Sequence, residues 1–153
     1  MLKAGIIKRF DKPTDWCSMA FFLPKGPDPV RMVFDFRHLS SWSTRVGYPF
    51  SSSESVLRSI PSKAKVFLSL DLLQSYFQLK VHQDDWELLV FILPSGKFIV
   101  CRAPMDHHGS GDDLNIASRC LLIGLEQAIK IMDDVLLAAC SLKEAYLIGQ
   151  APC

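Results

Sequence analysis

Long apolar runs are missing from this chain of 153 residues. The best candidates, such as VLLAAC at 135–140, fall far short of a bilayer-spanning stretch. Cysteine pairing is missing as well. The five cysteines, Cys17, Cys101, Cys120, Cys140 and Cys153, are odd in number and widely spaced, with no C-x-x-C. That argues against a disulfide framework or a zinc ribbon, and for a reducing compartment in which most cysteines serve as small buried apolar residues. No charge of one sign dominates: the formal net charge is +1, which alone says nothing about nucleic acid. The opening MLKAGIIKRFDK has only a brief apolar patch before its charges, so it does not read as a secretory signal. A disordered chain is excluded in turn, because 49% of residues are apolar and 22% charged. The length suits one domain or a piece of a larger one.

Charge is unevenly spread. Residues 1–65 hold 11 Lys+Arg against 5 Asp+Glu, or 11 − 5 = +6, and residues 66–153 hold 6 against 11, or 6 − 11 = −5. A basic half joined to an acidic half suits a site that holds a polyanion on one side and cations on the other, although two solvated faces explain the same numbers.

Residues 11–30 are broken by Pro13, Pro24, Gly26, Pro27 and Pro29, which leaves room for short strands. MAFFLP (19–24) and RMVFDF (31–36) read as a hairpin with KGPDP as its tip. The serine-rich stretch 40–55 reads as a connecting loop, and SSSESVLRSI (51–60) as a short helix with a serine cap. VFLSLDL (66–72) has the apolar, β-branched character of a buried strand ending near Asp71. ELLVFIL (87–93) and KFIVCR (97–102) flank Pro94-Ser95-Gly96 as a second hairpin. DHHGSGDD (106–113) reads as a polar break before a helix over 112–126, with Leu114, Ala117, Leu121, Leu122 and Leu125 on its apolar face. AIKIM (128–132) and VLLAA (135–139) are apolar strands separated only by Asp133-Asp134. SLKEAYLIG (141–149) closes the series as a capped helix. No internal repeat is visible, nor a linker long enough to divide domains.

Asp133-Asp134 carries the most information. Two adjacent carboxylates between apolar strands repel each other and resist desolvation unless a cation sits on them. A solvent-exposed hairpin tip is the plainer explanation for either residue alone. Asp71 changes the balance, because it stands at the end of another strand. Three hard oxygen ligands on adjacent strand ends make a magnesium site. Two such ions about 3.5–4 Å apart activate an attacking hydroxyl and steady a leaving pyrophosphate.

Six segments then fall into a known order: AGIIKRFDKPTDWCSMAFFLPK, RMVFDFRHL, YPF (48–50), SLDLLQSYFQLKV, LPSGKFIVCRAPM and IKIMDDVLL, with 133 − 71 = 62 residues between the acidic positions. Together, over about residues 4–146, they resemble the fingers and palm of reverse transcriptases from long-terminal-repeat retrotransposons and retroviruses. The resemblance implies an α+β fold: an antiparallel palm sheet backed by helices, its acids on the open face, with partial fingers and no thumb. It implies one reverse-transcriptase-like domain fragment over 1–153, with fingers at about 1–44 and 79–104 and palm at about 45–78 and 105–153. The activity implied is RNA-directed DNA polymerisation.

The roles follow residue by residue from that resemblance. Asp71, Asp133 and Asp134 form the catalytic and metal-binding group for two Mg2+ ions, with Mn2+ as a substitute. Asp71 and Asp133 are the principal ligands, Asp134 tunes the site, and the Leu72 carbonyl adds a ligand. Lys25 and Arg31 hold the β- and γ-phosphates of the incoming dNTP, and Met105 lines the nucleotide site. Tyr76 lies under the ribose and excludes a 2′-hydroxyl, while Gln78 supports the template or primer backbone. Asp35 and Arg37 pair as a structural feature. The implied partners are an RNA or DNA template-primer duplex, dNTP and the remainder of a Pol polyprotein with thumb and RNase H. No membrane is implied, and the setting is intracellular, in the cytoplasm or a virus-like particle.

Two positions depart from the pattern. Ile131 stands where an aromatic is usual, and Asp106 stands where the Pro-x-Gly turn has glycine, which places a Cβ and a negative charge near the expected nucleotide. The chain also has only 153 − 134 = 19 residues after the acidic pair. Weak, salt-sensitive duplex binding and weak or lost activity are therefore expected. A non-catalytic remnant that binds nucleic acid or a partner is the main alternative. A metal-dependent phosphoesterase, from Asp106-His107-His108 with Asp112-Asp113, is a remote one.

Overall fold

The computed structural model describes residues 1–24, 26, 30–49, 52–125, 127–131 and 133–150. The expected hairpin tip at 25–29 therefore lies, apart from Gly26, outside the described residues. In chain order the elements are β1 (Ile7–Arg9), β2 (Ser18–Pro24), β3 (Val30–Asp35), α1 (Arg37–Trp42), α2 (Ser53–Ser59), β4 (Val66–Asp71), α3 (Ser75–Gln78), a 3-10 helix (Gln83–Leu89), β5 (Val90–Leu93), β6 (Gly96–Val100), α4 (His108–Leu121), β7 (Ala128–Ile131), β8 (Asp134–Ala139) and α5 (Leu142–Gly149). This is an α+β fold. The chain gathers into two units, each made from two stretches: 1–46 with 76–111, and 47–75 with the described residues from 112 onward. Among the described residues no helix is long and apolar enough to cross a membrane.

The first unit is built on a five-stranded sheet in the order β1-β6-β5-β2-β3. β2 and β3 form the expected antiparallel hairpin, with Met19 opposite Asp35 and Pro24 opposite Val30. β5 and β6 form the second, closing at Leu93 opposite Gly96. A parallel pairing joins them, Ser18 to Phe91 and Met19 to Ile92. Alternation sends neighbouring side chains to opposite faces, and both are covered around β5 and β6, while most of β2 is exposed. Phe91, Phe98, Val100, Phe34, Phe36 and Ile7 pack into one core. Val90, Ile99, Cys101 and Phe10 form a smaller one. Phe91 is the hub, its ring centroid 4.9 Å from Phe34 and 5.8 Å from Phe98.

The second unit carries a three-stranded antiparallel sheet, β4-β8-β7. Helix α2 packs against β7, and α5 against β8 and β4. A Cβ on Gly149 would stand 3.4 Å from Leu68 Cδ2, so α5 lies close on the Leu68 face. Both helices start on serine caps, Ser52 Oγ accepting from the Ser55 N–H and Ser141 Oγ from the Glu144 N–H, each at 3.2 Å.

Several elements differ from the sequence reading. The loop expected over 40–55 loses its first residues to α1. Its serines finish the helix rather than break it: Ser41 Oγ donates to the His38 carbonyl at 2.7 Å and Ser43 Oγ to that of Leu39 at 2.9 Å. Residues 87–89 belong to the 3-10 helix, not to a strand. β4 is a strand but not a buried one, since Phe67, Ser69, Leu70 and Asp71 are exposed; it stands at the edge of its sheet. The helix expected over 112–126 runs over 108–121, so the polar break at 106–113 is partly its first turn, and it ends before Gly124 adopts φ +89°. Its buried residues in the second unit include Asp112, Asn115 and Ser118, while Leu121 is exposed. Polar groups win that face because they serve the segment beside it: Asp112 Oδ2 accepts from the Gly47 N–H at 3.2 Å, and Asn115 Nδ2 donates to the Pro49 carbonyl at 3.3 Å. Of the described cysteines only Cys101 is buried; Cys17, Cys120 and Cys140 are exposed and all four are free thiols. The exposed three stand at the ends of elements, beside β2, in the last turn of α4 and after β8, where a small side chain stays open to water.

Asp35 and Arg37 pair where β3 turns into α1. Arg37 Nε donates to Asp35 Oδ1 at 2.8 Å and Arg37 Nη2 to Oδ2 at 2.6 Å, and the Arg37 backbone N–H adds a third bond to Oδ1 at 3.2 Å. These bonds hold the Asp35 carboxyl down at about 2, from an ordinary 3.8. A depressed carboxylate contributes stability that is full above its unfolded value and is lost as pH falls through its folded one. Arg37→Gln is therefore expected to move the Asp35 titration midpoint, followed by carboxyl NMR, from about 2 back toward 3.8, and to flatten the acid limb of the stability profile between those values. Phe91→Ala is expected to cost about 3–5 kcal/mol in chemical denaturation, because the hub ring leaves a cavity that its neighbours cannot close.

Candidate active site on the three-stranded sheet

β8 is the central strand, and its register fixes the site. Asp134, its first residue, pairs with Asp71 at the end of β4 and with Ile131 at the end of β7. Direct cross-strand partners point to the same face, with Cβ atoms about 4.5–5.5 Å apart. Asp71 and Asp134 are both exposed, and Asp133, at the turn just before β8, is half-buried. The acidic pair is thus divided between turn and strand. The turn is tied to β4 by the backbone, since the Leu72 N–H donates to the Asp133 carbonyl at 3.3 Å.

Alternation sorts the rest of the sheet. Phe67, Ser69 and Asp71 of β4, Ile129 and Ile131 of β7, and Asp134, Leu136 and Ala138 of β8 share one face by register. Leu68, Leu70, Val135 and Leu137 share the other, on which α5 sits. Phe67, Ser69, Asp71, Ile131 and Asp134 are exposed, so the two facing carboxylates stand on the open side. Like charges directly opposite in a ladder are destabilising. The arrangement therefore favours a cation between them.

Sequence reasoning overlooked Lys130. It interrupts the apolar strand AIKI, and that interruption was the signal to follow. Its Nζ donates to Asn115 Oδ1 at 2.7 Å, and the same Asn115 holds the Pro49 carbonyl through Nδ2. Burial pushes the Lys130 ammonium down, the Asp133 charge opposes that, and Arg119 adds to it. Arg119 is itself occupied with Tyr48, donating to the hydroxyl at 2.9 Å. Gln74 was also overlooked. Among the described residues it alone, apart from glycines, has a positive φ, +50°, in the short turn after Asp71.

The donor set is chemically right for a hard divalent ion: three carboxylates, two of them direct ladder partners. Asp71, Asp133 and Asp134 are the residues that would hold it. Among the described residues no three His, Cys, Asp or Glu side chains are already drawn together into a ligand set, so these carboxylates are neighbours rather than a closed cage. The Leu72 carbonyl, expected as a further ligand, accepts from the Ser75 N–H at 3.2 Å.

The remaining predicted residues are not among the described residues of the second unit. Lys25 falls outside the described residues. Arg31, Met105 and Tyr76 belong to the first unit. Arg31 is exposed on β3 and its Nη2 donates to Met105 Sδ at 3.0 Å. Tyr76 is half-buried in α3, where its carbonyl accepts from the Leu79 N–H at 3.1 Å. Gln78 is exposed at the end of α3, and its carbonyl accepts from Arg102 Nη1 at 3.4 Å. Asp106 adopts ordinary backbone, and its Oδ2 accepts from the Phe34 N–H at 3.2 Å. His107 Nε2 lies 3.0 Å from Ser43 Oγ, and its ring stacks on His108 at 4.9 Å. The Asp-His-His string is thus taken up by local packing.

Comparison with known proteins places the chain. No protein-family model matches it. It is 33% identical over 110 residues to the retrovirus-related Pol polyprotein from transposon gypsy of Drosophila melanogaster, a match that covers 68% of this chain and 10% of that protein. Over 97 residues it is 33% identical to the transposon Tf2-3 polyprotein of Schizosaccharomyces pombe, covering 63% of this chain and 7% of that one. The chain thus spans about a tenth or less of these curated relatives. In fold it matches the prototype foamy virus protease-reverse transcriptase with a TM-score of 0.86, at 19% identity, over 97% of this chain and 20% of that one. The foamy viral protease-reverse transcriptase solved in complex with RNA/DNA hybrid gives a TM-score of 0.82, at 18% identity, over 97% of this chain and 20% of that one. By sequence, the chain belongs to the retrovirus-related Pol polyproteins, as the counterpart of one segment of them, and the foamy viral structures show the shared fold.

Proposed function

We propose that this chain supplies the fingers, at about 1–44 and 79–104, and the palm, at about 45–78 and 105–153, of an RNA-directed DNA polymerase. What carries the reading is the ladder that sets Asp71 opposite Asp134, with Asp133 at the adjoining turn. The reaction is nucleotidyl transfer. A primer 3′-hydroxyl attacks the α-phosphate of a dNTP, a new P–O bond forms, the bond to the β-phosphate breaks, and pyrophosphate and a proton leave. Asp71 and Asp133 are the principal ligands of a magnesium pair, and Asp134 adjusts their charge. Bound magnesium supplies acidity to the hydroxyl and charge balance to the leaving group. Lys130, held by Asn115, adds a fixed positive charge beside Asp133. Lys25 and Arg31 hold the β- and γ-phosphates, a task that suits a point charge and a planar fork. Met105 lines the nucleotide site, and Tyr76 selects deoxyribose by filling the room a 2′-hydroxyl needs. The partners are a template-primer duplex and the rest of a Pol polyprotein, inside the cell or a virus-like particle.

One observation favours a second reading, a non-catalytic remnant that binds nucleic acid or a partner: the carboxylates are not drawn into a closed set. Primer extension on a poly-ribo template with Mg2+ separates the two. Under the polymerase reading, Asp71→Asn and Asp133→Asn each lower extension by about a hundredfold or more, as expected when charge stabilisation is lost at the reacting phosphate. Mn2+ binding, followed by electron paramagnetic resonance, weakens in the same variants. Extension absent from wild type, with Mn2+ binding unaffected by either substitution, refutes the polymerase and leaves the remnant.

A further inference from the structure

We propose that Lys130 is a resident counter-cation for Asp133, fixed in place by Asn115, and that a divalent ion entering the acidic site binds against its charge. The part that concerns the metal rests on the polymerase reading and deepens it.

The network lies wholly within the second unit. Asp112, Asn115 and Arg119 stand at i, i+3 and i+7 of α4 and so share one side of the helix. Each serves the 47–49 segment. Asp112 Oδ2 accepts from the Gly47 N–H at 3.2 Å, Asn115 Nδ2 donates to the Pro49 carbonyl at 3.3 Å, and Arg119 Nη1 donates to the Tyr48 hydroxyl at 2.9 Å. Asn115, only 7% exposed, turns the other end of its amide to β7, where Oδ1 accepts from Lys130 Nζ at 2.7 Å. With both ends engaged the amide has one orientation. A flip would set its NH2 against the ammonium and its oxygen against the Pro49 carbonyl.

An amide is neutral. It holds Lys130 without cancelling the charge, as a carboxylate in its place would. Lys130 is the ladder partner of Val135, which is buried, so its stem leaves β7 on the face opposite Asp71 and Asp134. Asp133 stands at the turn between those faces and is half-buried, as is Lys130. Burial disfavours the Lys130 charge, Asp133 supports it and Arg119 opposes it. Charges that are partly withdrawn from water act on each other more strongly than charges on an open surface. Without metal, Lys130 offsets part of the repulsion among the carboxylates. With metal, the same charge repels the ion that takes over that task. The lysine thus steadies the empty site and weakens divalent binding.

The test uses the whole chain and two readings. Lys130→Gln keeps a donor for Asn115 and removes the charge. In EDTA, chemical denaturation gives the folding constant of wild type, Lys130→Gln, Asp133→Asn and the double variant. Lys130→Gln is expected to lower that constant about threefold more in wild type than beside Asp133→Asn, the size of a modest coupled pair. Mn2+ titration followed by electron paramagnetic resonance is expected to show binding tightened about tenfold in Lys130→Gln, because a doubly charged ion feels twice the energy and the ratio is squared. Lys130→Arg keeps the charge and stays within about twofold of wild type in both readings. Asn115→Leu releases the ammonium and tightens Mn2+ binding in the same direction. Equal cost of Lys130→Gln in both backgrounds overturns the pairing with Asp133. Mn2+ affinity unchanged or weakened in Lys130→Gln overturns the opposition to metal, and wild-type affinity in Asn115→Leu overturns the clamp. Mn2+ binding indifferent to Asp133→Asn ends the polymerase reading and the metal part of this one, whereas the cycle in EDTA contains no metal and decides the ion pair by itself.

Discussion

Two negative charges placed face to face on neighbouring strands are the constraint around which the second unit is organised. A protein avoids such a pair on an exposed ladder unless something offsets the repulsion. Here the backbone commits to it. β8 runs between β4 and β7, Asp134 meets Asp71 in register, and the Leu72 N–H fastens the turn that carries Asp133. A slip of one residue would turn one carboxylate toward α5 and leave the other on the open side. The apolar residues that alternate with the acids pack under α5 and hold that register. Hydrophobic burial on one face thus sets the electrostatic problem on the other.

The first unit solves a different problem, an outer strand with bonding groups to spare. Asp35 and Arg37 finish β3 at its C-terminal end and start α1 with a charged clasp. Asp106 serves the same strand from the side. A residue that reads in sequence as an intruder into a glycine position is, in the fold, an acceptor matched to a buried donor. Its chemistry is local, and the pattern of the segments around it gives no sign of it.

Much of the architecture is legible in the sequence. The two hairpins of the first unit, the β7–β8 hairpin and the serine-capped helices all follow from turn residues, alternation and caps, which act over a few positions. The ladder partners of Asp71 follow from the order of motifs, not from periodicity. What escapes such a reading depends on residues distant in sequence. α4 looks like a helix with leucines inward, yet Asp112 and Asn115 face inward because the 47–49 segment needs their bonds. VFLSLD looks buried because it is apolar, yet it is an edge strand with most of its residues exposed. Lys130 is hidden inside an apolar strand, since its partner Asn115 lies on another element. Gln74 gives no signal, because a positive φ outside glycine leaves no mark on composition.

Central placement of β8 also has a consequence for synthesis. β4 is complete at residue 71, while β8, its described ladder partner, begins 134 − 71 = 63 residues later. A nascent chain must carry the apolar edge VFLSLD unpaired through all of that interval. Closing so long a loop is slow, and an unpaired strand is a template for neighbouring chains in the meantime. Until β8 is made, residues 66–71 lack their described ladder partner, and an unpaired apolar strand is the kind of edge on which neighbouring chains pair.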